Sequence, residues 1–449
     1  HPEGITFNTI FKMSFWDKLL ATKKPDRPLI SFGRFTDAYK SKDQLDAWDQ
    51  SLKLFEEGNP LDSVKRLVDY LRNSASDNII VEAAEPDLIF LIYHGSKQIN
   101  CTLDARLFKA ESKVAHCKEL NVGFLRKAVE YNYNLNYARF ALDKENNLCL
   151  LFDSVISEAS PYKLFYGLRE LALQSDKEDD ILLDEFENLE PLQNQHIKNL
   201  SPKILEAKIS FIRQKIRSIT EPDVLGSLNV QRFQGALTYV YLAAFYGLDY
   251  LVKPEGALME LISNLHIQYF ATAPANTEAK VSLLELGIKE IQEMSDADLR
   301  KELYEVISTF GITSPANQET IGQFIESEIK AINWYEENNH EEICIAICNY
   351  IAGYCLYSFA MPAVTRDLFH FYFEIVEANY FKSLGFENNY WHSNLKTLQI
   401  EAINTEIEGI FKIHSERFLK LPKAVNFTET RPHVFLKSYL LFIKNLVIS

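Results

Sequence analysis

One long uncharged run limits how this chain can fold. Residues 343–364 carry no charge, over a length comparable to the roughly twenty residues that cross a bilayer. Asn349 and Pro362 interrupt the run, and acidic residues precede it, which favours a buried helix at the centre of a large helical domain over a transmembrane helix. The shorter apolar run at 236–248 is predicted to be its neighbour.

Length and charge set the next limits. The chain has 449 residues, more than one hydrophobic core usually holds, so two or three domains are expected. Its formal net charge is -15 and its pI is near 5.3. A surface of that sign is repelled by phosphate backbones, and we therefore expect no nucleic-acid partner.

The cysteines indicate a reducing environment. They lie in apolar runs without a CxxC pair, which predicts buried and reduced thiols. We therefore expect a cytoplasmic protein without disulfides and without integral membrane insertion. The six cysteines are Cys101, Cys117, Cys149, Cys344, Cys348 and Cys355.

Residues 1–41 are predicted to form an extension before the first domain. Apolar residues at helical spacing in 7–20, with lysines around them, predict a short amphipathic helix that docks on the protein or, as the alternative, anchors it to a membrane surface. Charged residues interrupt this stretch, so no secretory signal is expected. The run that begins at Met13 resembles a natural start, and residues 1–12 are then an added extension.

Residues 42–192 are predicted to form an α+β domain. Two helices in 42–73 are separated at Gly58, with Asp62 as the expected cap of the second. An antiparallel meander follows, with strands predicted at 79–83, 88–93, 99–103 and 107–115. A helix at 122–133 comes next, and then a hairpin of strands 139–142 and 148–152 joined by an acidic turn. Ser160 with Pro161 opens a further helix.

Residues 193–449 are predicted to form a large all-α domain. The stretch 176–191 is acidic and is interpreted as a solvated helix face and linker, with a site for a cation or a basic partner as the alternative. Beyond 194–201 nearly every segment has helical period, and no strands are expected. A solenoid is disfavoured because no repeat of fixed period is visible.

The element order of 42–192 resembles a known family. Leu120-Asn121 lead into a helix that ends in asparagines, and residues 138–143 and 148–150 form a strand that returns through an acidic turn. This order is similar to the type III secretion chaperone-like fold, which secretion chaperones share with sensory-transduction regulators of the bacterial YbjN type. The resemblance implies a domain that dimerises, binds a partner polypeptide and has no enzymatic chemistry. The long helical part departs from that family and counts against a dedicated chaperone role.

Two groups of side chains have the spacing of chemical sites. His340, Cys344 and Cys348 recur every four residues after Glu337, as helical zinc ligands would, but no second ligand pair matches them and a core helix explains the cysteines better. Asp367, His370 and Glu374 share one helix face, and we interpret them as a buried histidine held by a carboxylate. His392 is isolated and is interpreted as a packing or surface residue. We therefore expect no catalytic, cofactor-binding or metal site.

The function expected from the sequence is protein interaction. No nucleotide, hydrolase or zinc-protease motif occurs, so we expect a non-enzymatic protein that binds a partner polypeptide or itself. The alternative is a helical small-ligand-binding protein or an enzyme whose site forms no sequence motif. A deep cavity between the runs 236–248 and 343–361 would favour the ligand, and a shallow apolar surface would favour the interaction. Several tyrosines fit a core edge or a partner groove: Tyr239, Tyr241, Tyr246, Tyr250, Tyr350, Tyr354 and Tyr357.

Overall fold

The computed structural model confirms an α+β region followed by a largely helical region. It describes residues 28, 30–34, 40–73, 77–83, 87–192, 197–221, 223–271, 276–311, 313–387, 390–392 and 397–448. The predicted amphipathic helix within residues 1–41 lies outside the described residues, so its prediction remains open.

The N-terminal part is a six-strand antiparallel path with one short added strand. Its order is β1-β2-β3-β4-β6-β5, and β7 pairs with the far end of β4. The predicted meander and hairpin are confirmed with nearly the predicted bounds. The elements are α1 Lys42–Glu56, α2 Pro60–Leu71, β1 Ile79–Ala83, β2 Leu88–His94, β3 Lys97–Leu103, β4 Leu107–Cys117, α3 Val122–Asn134, β5 Arg139–Leu142, β6 Asn147–Val155, α4 Pro161–Glu185 and β7 Leu189–Pro191.

Local capping explains where the helices begin. Ser41 and Gln44 form a reciprocal capping box at α1, and Ser160 accepts from the Lys163 amide at α4 as predicted. The prediction that Asp62 caps α2 is wrong. Pro60 already occupies the first turn, where a missing N–H costs nothing, and the cap position therefore falls on Asn59.

Helix α4 covers the sheet and builds the N-terminal core. It packs on β4 and β6, and it also contacts α1 and α2. At Gly167 a Cβ atom would lie 2.4 Å from the Phe152 ring, so the absence of a side chain lets the helix approach the strand. The acidic stretch 176–191 was predicted to be a solvated helix face and linker. That prediction is wrong for Glu178. The helix continues to Glu185 and buries the Glu178 side chain.

The C-terminal part consists mainly of helices, and short strands in the segments between them form pairs. Its helices are α5 Pro202–Thr220, α6 Gln234–Val252, α7 Gly256–Ala271, α8 Thr277–Glu293, α9 Asp296–Lys301, α10 Gln318–Ile329, α11 Ile332–Glu337, α12 Glu341–Ser358, α13 Ala363–Val376, α14 Ala378–Leu384, α15 Ile400–His414 and α16 Pro432–Lys444. Its strands are β8 Lys198–Asn199, β9 Tyr304–Glu305, β10 Ser314–Pro315, β11 Phe359–Ala360, β12 Trp391–His392 and β13 Thr397–Leu398.

These strand pairs correct the expectation of a strand-free region. Each strand has two residues, and β8 pairs with β9, β10 with β11 and β12 with β13. Tertiary contacts create them, because two residues are too few to show a strand period in the sequence. The uncharged run 343–364 is likewise not one helix. Helix α12 ends at Ser358, and Pro362 disfavours helical geometry in the residue before it.

Helices α6 and α12 form the predicted central pair. They pack directly on each other, and Tyr246 of α6 lies against Gly353 of α12. Among the described residues, α6 is long and apolar enough to cross a membrane, and 78% of its apolar window is buried inside the protein. That is the arrangement of a helix at the centre of a folded core.

The close approach of α6 and α12 predicts the effect of adding one methyl group. A Cβ atom at Gly353 would lie 2.8 Å from the Tyr246 Cβ, which is fixed to the backbone and cannot rotate away. We expect Gly353→Ala to lower the free energy of unfolding by about 1–3 kcal/mol through overpacking. Urea unfolding followed by circular dichroism measures this change.

The matched control lies on the facing helix. A Cβ atom at Gly247 meets no atom within 4 Å, so Gly247→Ala should be neutral or stabilising by up to about 1 kcal/mol through helix propensity. Equal destabilisation by both substitutions would contradict the packing described for this pair.

Candidate functional site

The described cavity lies where the two parts of the chain meet. It has a volume of about 170 Å³ and is lined by the end of β2, by α4 and by the adjoining ends of α6 and α7. We call it the interdomain cavity. Its lining residues are Arg34, His94, Leu173, Gln174, Asp176, Lys177, Asp249, Lys253, Glu255, Met259, Glu260, Ser263, Ser308, Phe310 and Tyr357.

A segment of the helical part forms one wall of this cavity by inserting into the N-terminal domain. Thr309 Oγ1 donates to the Tyr93 carbonyl at 2.7 Å and accepts from Asn78 Nδ2 at 3.0 Å. The neighbouring Phe310 is buried within the N-terminal core, and Arg169 of α4 donates to the Gly311 carbonyl at 3.0 Å. Residues 309–311 therefore belong to the helical part by sequence but pack in the N-terminal domain.

His94 ties this segment to the sheet through its backbone. Its Nδ1 accepts from the Thr309 and Phe310 amides at 3.2 and 3.3 Å, so the ring proton must sit on Nε2. Burial, together with the nearby Arg169 guanidinium, lowers the pKa of His94 to about 4. His94 is therefore a neutral hydrogen-bond acceptor at neutral pH.

Ion pairs surround the rest of the cavity. Arg34 donates from Nε and Nη2 to Asp249 Oδ1 at 2.9 and 2.8 Å, and its Nη2 also donates to the Pro254 carbonyl. Lys177 of α4 pairs with Glu260 of α7 at 2.8 Å across the two domains. Protein carboxylates therefore neutralise the charges of Arg34 and Lys177.

Glu255 is the carboxylate of the lining with the weakest compensation. Only 5% of the residue is exposed, and its Oε2 lies 3.9 Å from Arg34 Nη1, too far for a hydrogen bond. Burial raises the pKa of Glu255, with Arg34 and Lys253 opposing that shift. Among the described residues no hydrogen bond to its carboxylate is formed, although its amide donates to the Glu302 carbonyl at 2.8 Å.

Asp176 is held at the cavity by the turn between β2 and β3. Its Oδ1 accepts from the Ser96 amide at 2.5 Å. Gly95 has a φ of +56° there, and a Cβ atom would lie 2.0 Å from the carboxylate. Only glycine fits both the backbone conformation and the close approach of Asp176.

A buried lysine lies beside the cavity without lining it. Lys208 of α5 donates to the Val252 carbonyl at 2.7 Å, where α6 ends and exposes unpaired carbonyls. Burial lowers the pKa of Lys208 to about 8, while Glu305 partly offsets that effect. Its cation caps the helix C-terminus, which accounts for its position structurally.

A second feature is an exposed apolar stripe on the N-terminal domain. Val122, Val129 and Tyr133 on α3 are 82%, 69% and 91% exposed. Their spacing places them on one face of the helix, with Arg126 and Glu130 between them. We call these five residues the α3 surface.

The predicted pairing of a histidine with a carboxylate is confirmed for His370 and Glu374, although His370 is only partly buried and Asp367 does not join them. His370 Nε2 lies 3.2 Å from the buried Glu374, while its Nδ1 contacts the Tyr250 hydroxyl at 2.9 Å. Asp367 instead contacts His414 Nε2 at 2.9 Å, and Arg366 together with that histidine lowers the pKa of Asp367 against its burial. These contacts satisfy the polar groups of a packed helix.

The predicted zinc alternative is not assembled. Cys344 and Cys348 are buried in α12, whereas Glu337 ends the preceding helix and is exposed. Burial raises the pKa of Cys344 to about 11, so the thiol is protonated and a poor ligand. For His392 only the backbone, in β12, is described.

One other group of metal-compatible atoms occurs among the described residues. Glu111, Asp143 and Cys149 have one ligand atom each within 4.8 Å of one another. Asp143 is already bound by Lys113 Nζ at 3.0 Å and by Asn147, and these hydrogen bonds lower its pKa against desolvation. Burial raises the pKa of Cys149 to about 12, which disfavours the thiolate that a metal needs.

The tyrosine groups line the edge of the helical core. Tyr246 is buried with its hydroxyl 2.8 Å from His266 Nδ1, and Tyr354 stacks on Phe324 with ring centroids 4.5 Å apart. Tyr357 lines the interdomain cavity. Tyr357 was predicted to lie at a core edge or a partner groove, and Asp176 belongs to the acidic stretch, but the other cavity residues lie far apart in the sequence and form no motif that could reveal them.

The chain matches no known protein-family model, and no curated protein is significantly similar to it.

The neutral state of His94 predicts a pH dependence of folding. Its folded pKa of about 4 lies below the ordinary value of 6.5, so the unfolded chain binds more protons between these values. Stability from His94 is complete above pH 6.5 and is lost as the pH falls toward 4, by about 3 kcal/mol in total. Urea unfolding at a series of pH values measures this slope.

Two variants isolate the contribution of His94. His94→Asn keeps an acceptor near the Nδ1 position but cannot titrate, and it should flatten the acid-side slope. His340→Asn, at the partly exposed start of α12, is the control and should retain the slope. An unchanged slope in His94→Asn would assign the pH dependence to other groups.

Proposed function

We propose that this is a non-enzymatic, cytoplasmic association protein in which two copies pair through the α3 surface. The single observation that carries the proposal is the apolar stripe of Val122, Val129 and Tyr133 on an exposed helix. Exposed apolar residues that share one face indicate an interaction site more strongly than scattered ones.

The contacts of α3 favour helix pairing over strand addition. Asn132 donates to the Phe140 carbonyl at 3.2 Å and accepts from the Phe140 amide at 2.6 Å. These two bonds cover polar backbone groups on the outer side of β5, the edge strand of the sheet. The apolar face of α3 stays exposed beside that covered edge.

The charges on the stripe favour a second copy as the occupant. Arg126 and Glu130 form no ion pair with any described residue. In an antiparallel two-fold pairing of α3 centred at the level of Ala128, Arg126 of each copy faces Glu130 of the other. The two-fold symmetry makes the two Arg126 to Glu130 ion pairs equivalent. Val129 of each copy lies next to the two-fold axis.

The thiol chemistry supports a binding role in a reducing compartment. All six cysteines are free and buried. Burial raises the pKa of Cys149 to about 12 and that of Cys344 to about 11, so neither is an activated nucleophile. The resemblance to chaperone-like domains that dimerise and bind polypeptides points in the same direction.

The test is the molar mass of the full chain by light scattering after gel filtration. We expect a dimer for the unaltered protein and a monomer for Val129→Glu, because that substitution places two carboxylates beside the symmetry axis. Leu419→Glu alters a residue of the helical part that is 87% exposed, and it should remain dimeric as the matched control.

Charge reversal then tests the register of the pairing. Arg126→Glu and Glu130→Arg should each raise the dissociation constant, because each places like charges opposite one another twice. The double variant restores opposite charges and should recover much of the affinity. A monomeric wild type, or a dimer unaffected by Val129→Glu, would overturn pairing through α3 and move attention to a different polypeptide partner.

A further inference from the structure

The interdomain cavity contains more negative than positive side chains. Its carboxylates are those of Asp176, Asp249, Glu255 and Glu260, and its strong cations are Arg34, Lys177 and Lys253. In a cavity lined by charged side chains, the side chain with the weakest ion-pair partner has the most to gain from a ligand. The ligand that binds there best therefore carries the opposite charge.

The ion pairs within the protein show which charged side chain of the cavity has the weakest partner. Arg34 is bound to Asp249, Lys177 to Glu260 and Lys253 to Glu305, at 2.8, 2.8 and 3.6 Å. Asp176 accepts from the Ser96 amide. Glu255 remains as a carboxylate that is more than nine-tenths buried, lines the cavity and receives no hydrogen bond from the described residues.

The rest of the lining fits a carbon skeleton. Leu173, Met259, Phe310 and Tyr357 supply apolar and aromatic surface around the polar groups. Phe310 and Tyr357 are aromatic, and an aromatic ring attracts a cation that lies over its face. The volume of about 170 Å³ is comparable to cavities that accept one benzene-sized molecule.

We propose that the interdomain cavity binds a small organic ammonium compound, with its ammonium group on the Glu255 carboxylate and its carbon chain against Met259, Phe310 and Tyr357. This site is separate from the α3 surface, so it extends the proposed function and does not depend on it. Both domains line the cavity, and the ligand therefore also strengthens their contact.

Other ligand classes fit the lining less well. An anion would need a cation that is not already engaged, and Arg34, Lys177 and Lys253 each contact a protein carboxylate. A metal ion needs several converging ligand atoms, and among the described residues the group that meets this condition is at Glu111, outside the cavity.

Binding should weaken in acid. The ammonium group requires the ionised form of Glu255, and burial raises the pKa of that carboxyl above its ordinary value of 4.5. A raised pKa means that the folded, empty protein gains stability as the pH falls and loses it as the pH rises through that pKa. A bound ammonium group stabilises the charged carboxylate and therefore opposes this loss.

The experiment measures the melting temperature and the binding isotherm of the full chain at neutral pH. The probes are n-butylammonium chloride and 1,4-diaminobutane at millimolar concentration, with sodium butyrate and potassium chloride as controls of matched chain length and ionic strength. We expect the amines to raise the melting temperature and to give a saturable calorimetric signal, while butyrate and potassium chloride do neither.

Glu255→Gln tests the assigned carboxylate. It keeps the shape but removes the buried charge, so the unliganded variant should melt at the same or a higher temperature and lose at least tenfold in amine affinity. Glu416→Gln, at an exposed position outside the lining, should bind like the wild type. Met259→Trp, which fills the cavity, should also abolish binding even if Glu255→Gln folds poorly.

Three results would overturn the proposal. The first is an absence of any effect of both amines on the wild type, and the second is equal amine binding by wild type and Glu255→Gln. The third is a larger stabilisation by butyrate than by butylammonium, which would indicate an anion site. The molar mass of the protein reports separately on the α3 surface, so failure of either proposal can be distinguished.

Discussion

The arrangement of the two domains depends on a short insertion held by backbone hydrogen bonds. The amides of Thr309 and Phe310 donate to Nδ1 of His94, and the Phe310 ring is buried in the core of the N-terminal domain. A neutral imidazole is required for both bonds, and burial provides it by lowering the pKa of His94. The insertion also brings α7 toward α4, which positions the Lys177 to Glu260 ion pair and encloses the interdomain cavity.

The helical domain has a different organising constraint, which is close packing of two uncharged helices. At Gly353 the backbone of α12 approaches Tyr246 so closely that no larger residue fits without movement. At this contact the two helices touch, and the interdomain cavity lies beyond it, near Asp249 at the end of α6 and Tyr357 at the end of α12. The space that could hold a ligand lies at the domain junction, where chain ends and charged residues meet.

Most of the fold could be predicted because its signals are local. The strands from Leu88 to Cys117 largely alternate buried residues with more exposed ones, and Ser160 with Pro161 marks a helix start within two residues. The strand pair β10 and β11 could not be predicted, because its partners lie far apart in the chain. The interdomain cavity was missed for the same reason, since Arg34, His94 and Tyr357 become neighbours only in the folded chain.

A buried charge with a weak partner has to be explained by function or by geometry. The other ionised groups of the cavity have geometric explanations: Arg34 joins Asp249 to the Pro254 carbonyl, and Asp176 secures the turn at Gly95. Glu255 has none of these roles, and its carboxylate costs stability that an amide of the same shape would not. Groups of this kind cluster at binding sites because the ligand supplies a closer partner than the protein does. The same reasoning separates Glu255 from Lys208, whose buried cation is satisfied by a helix end.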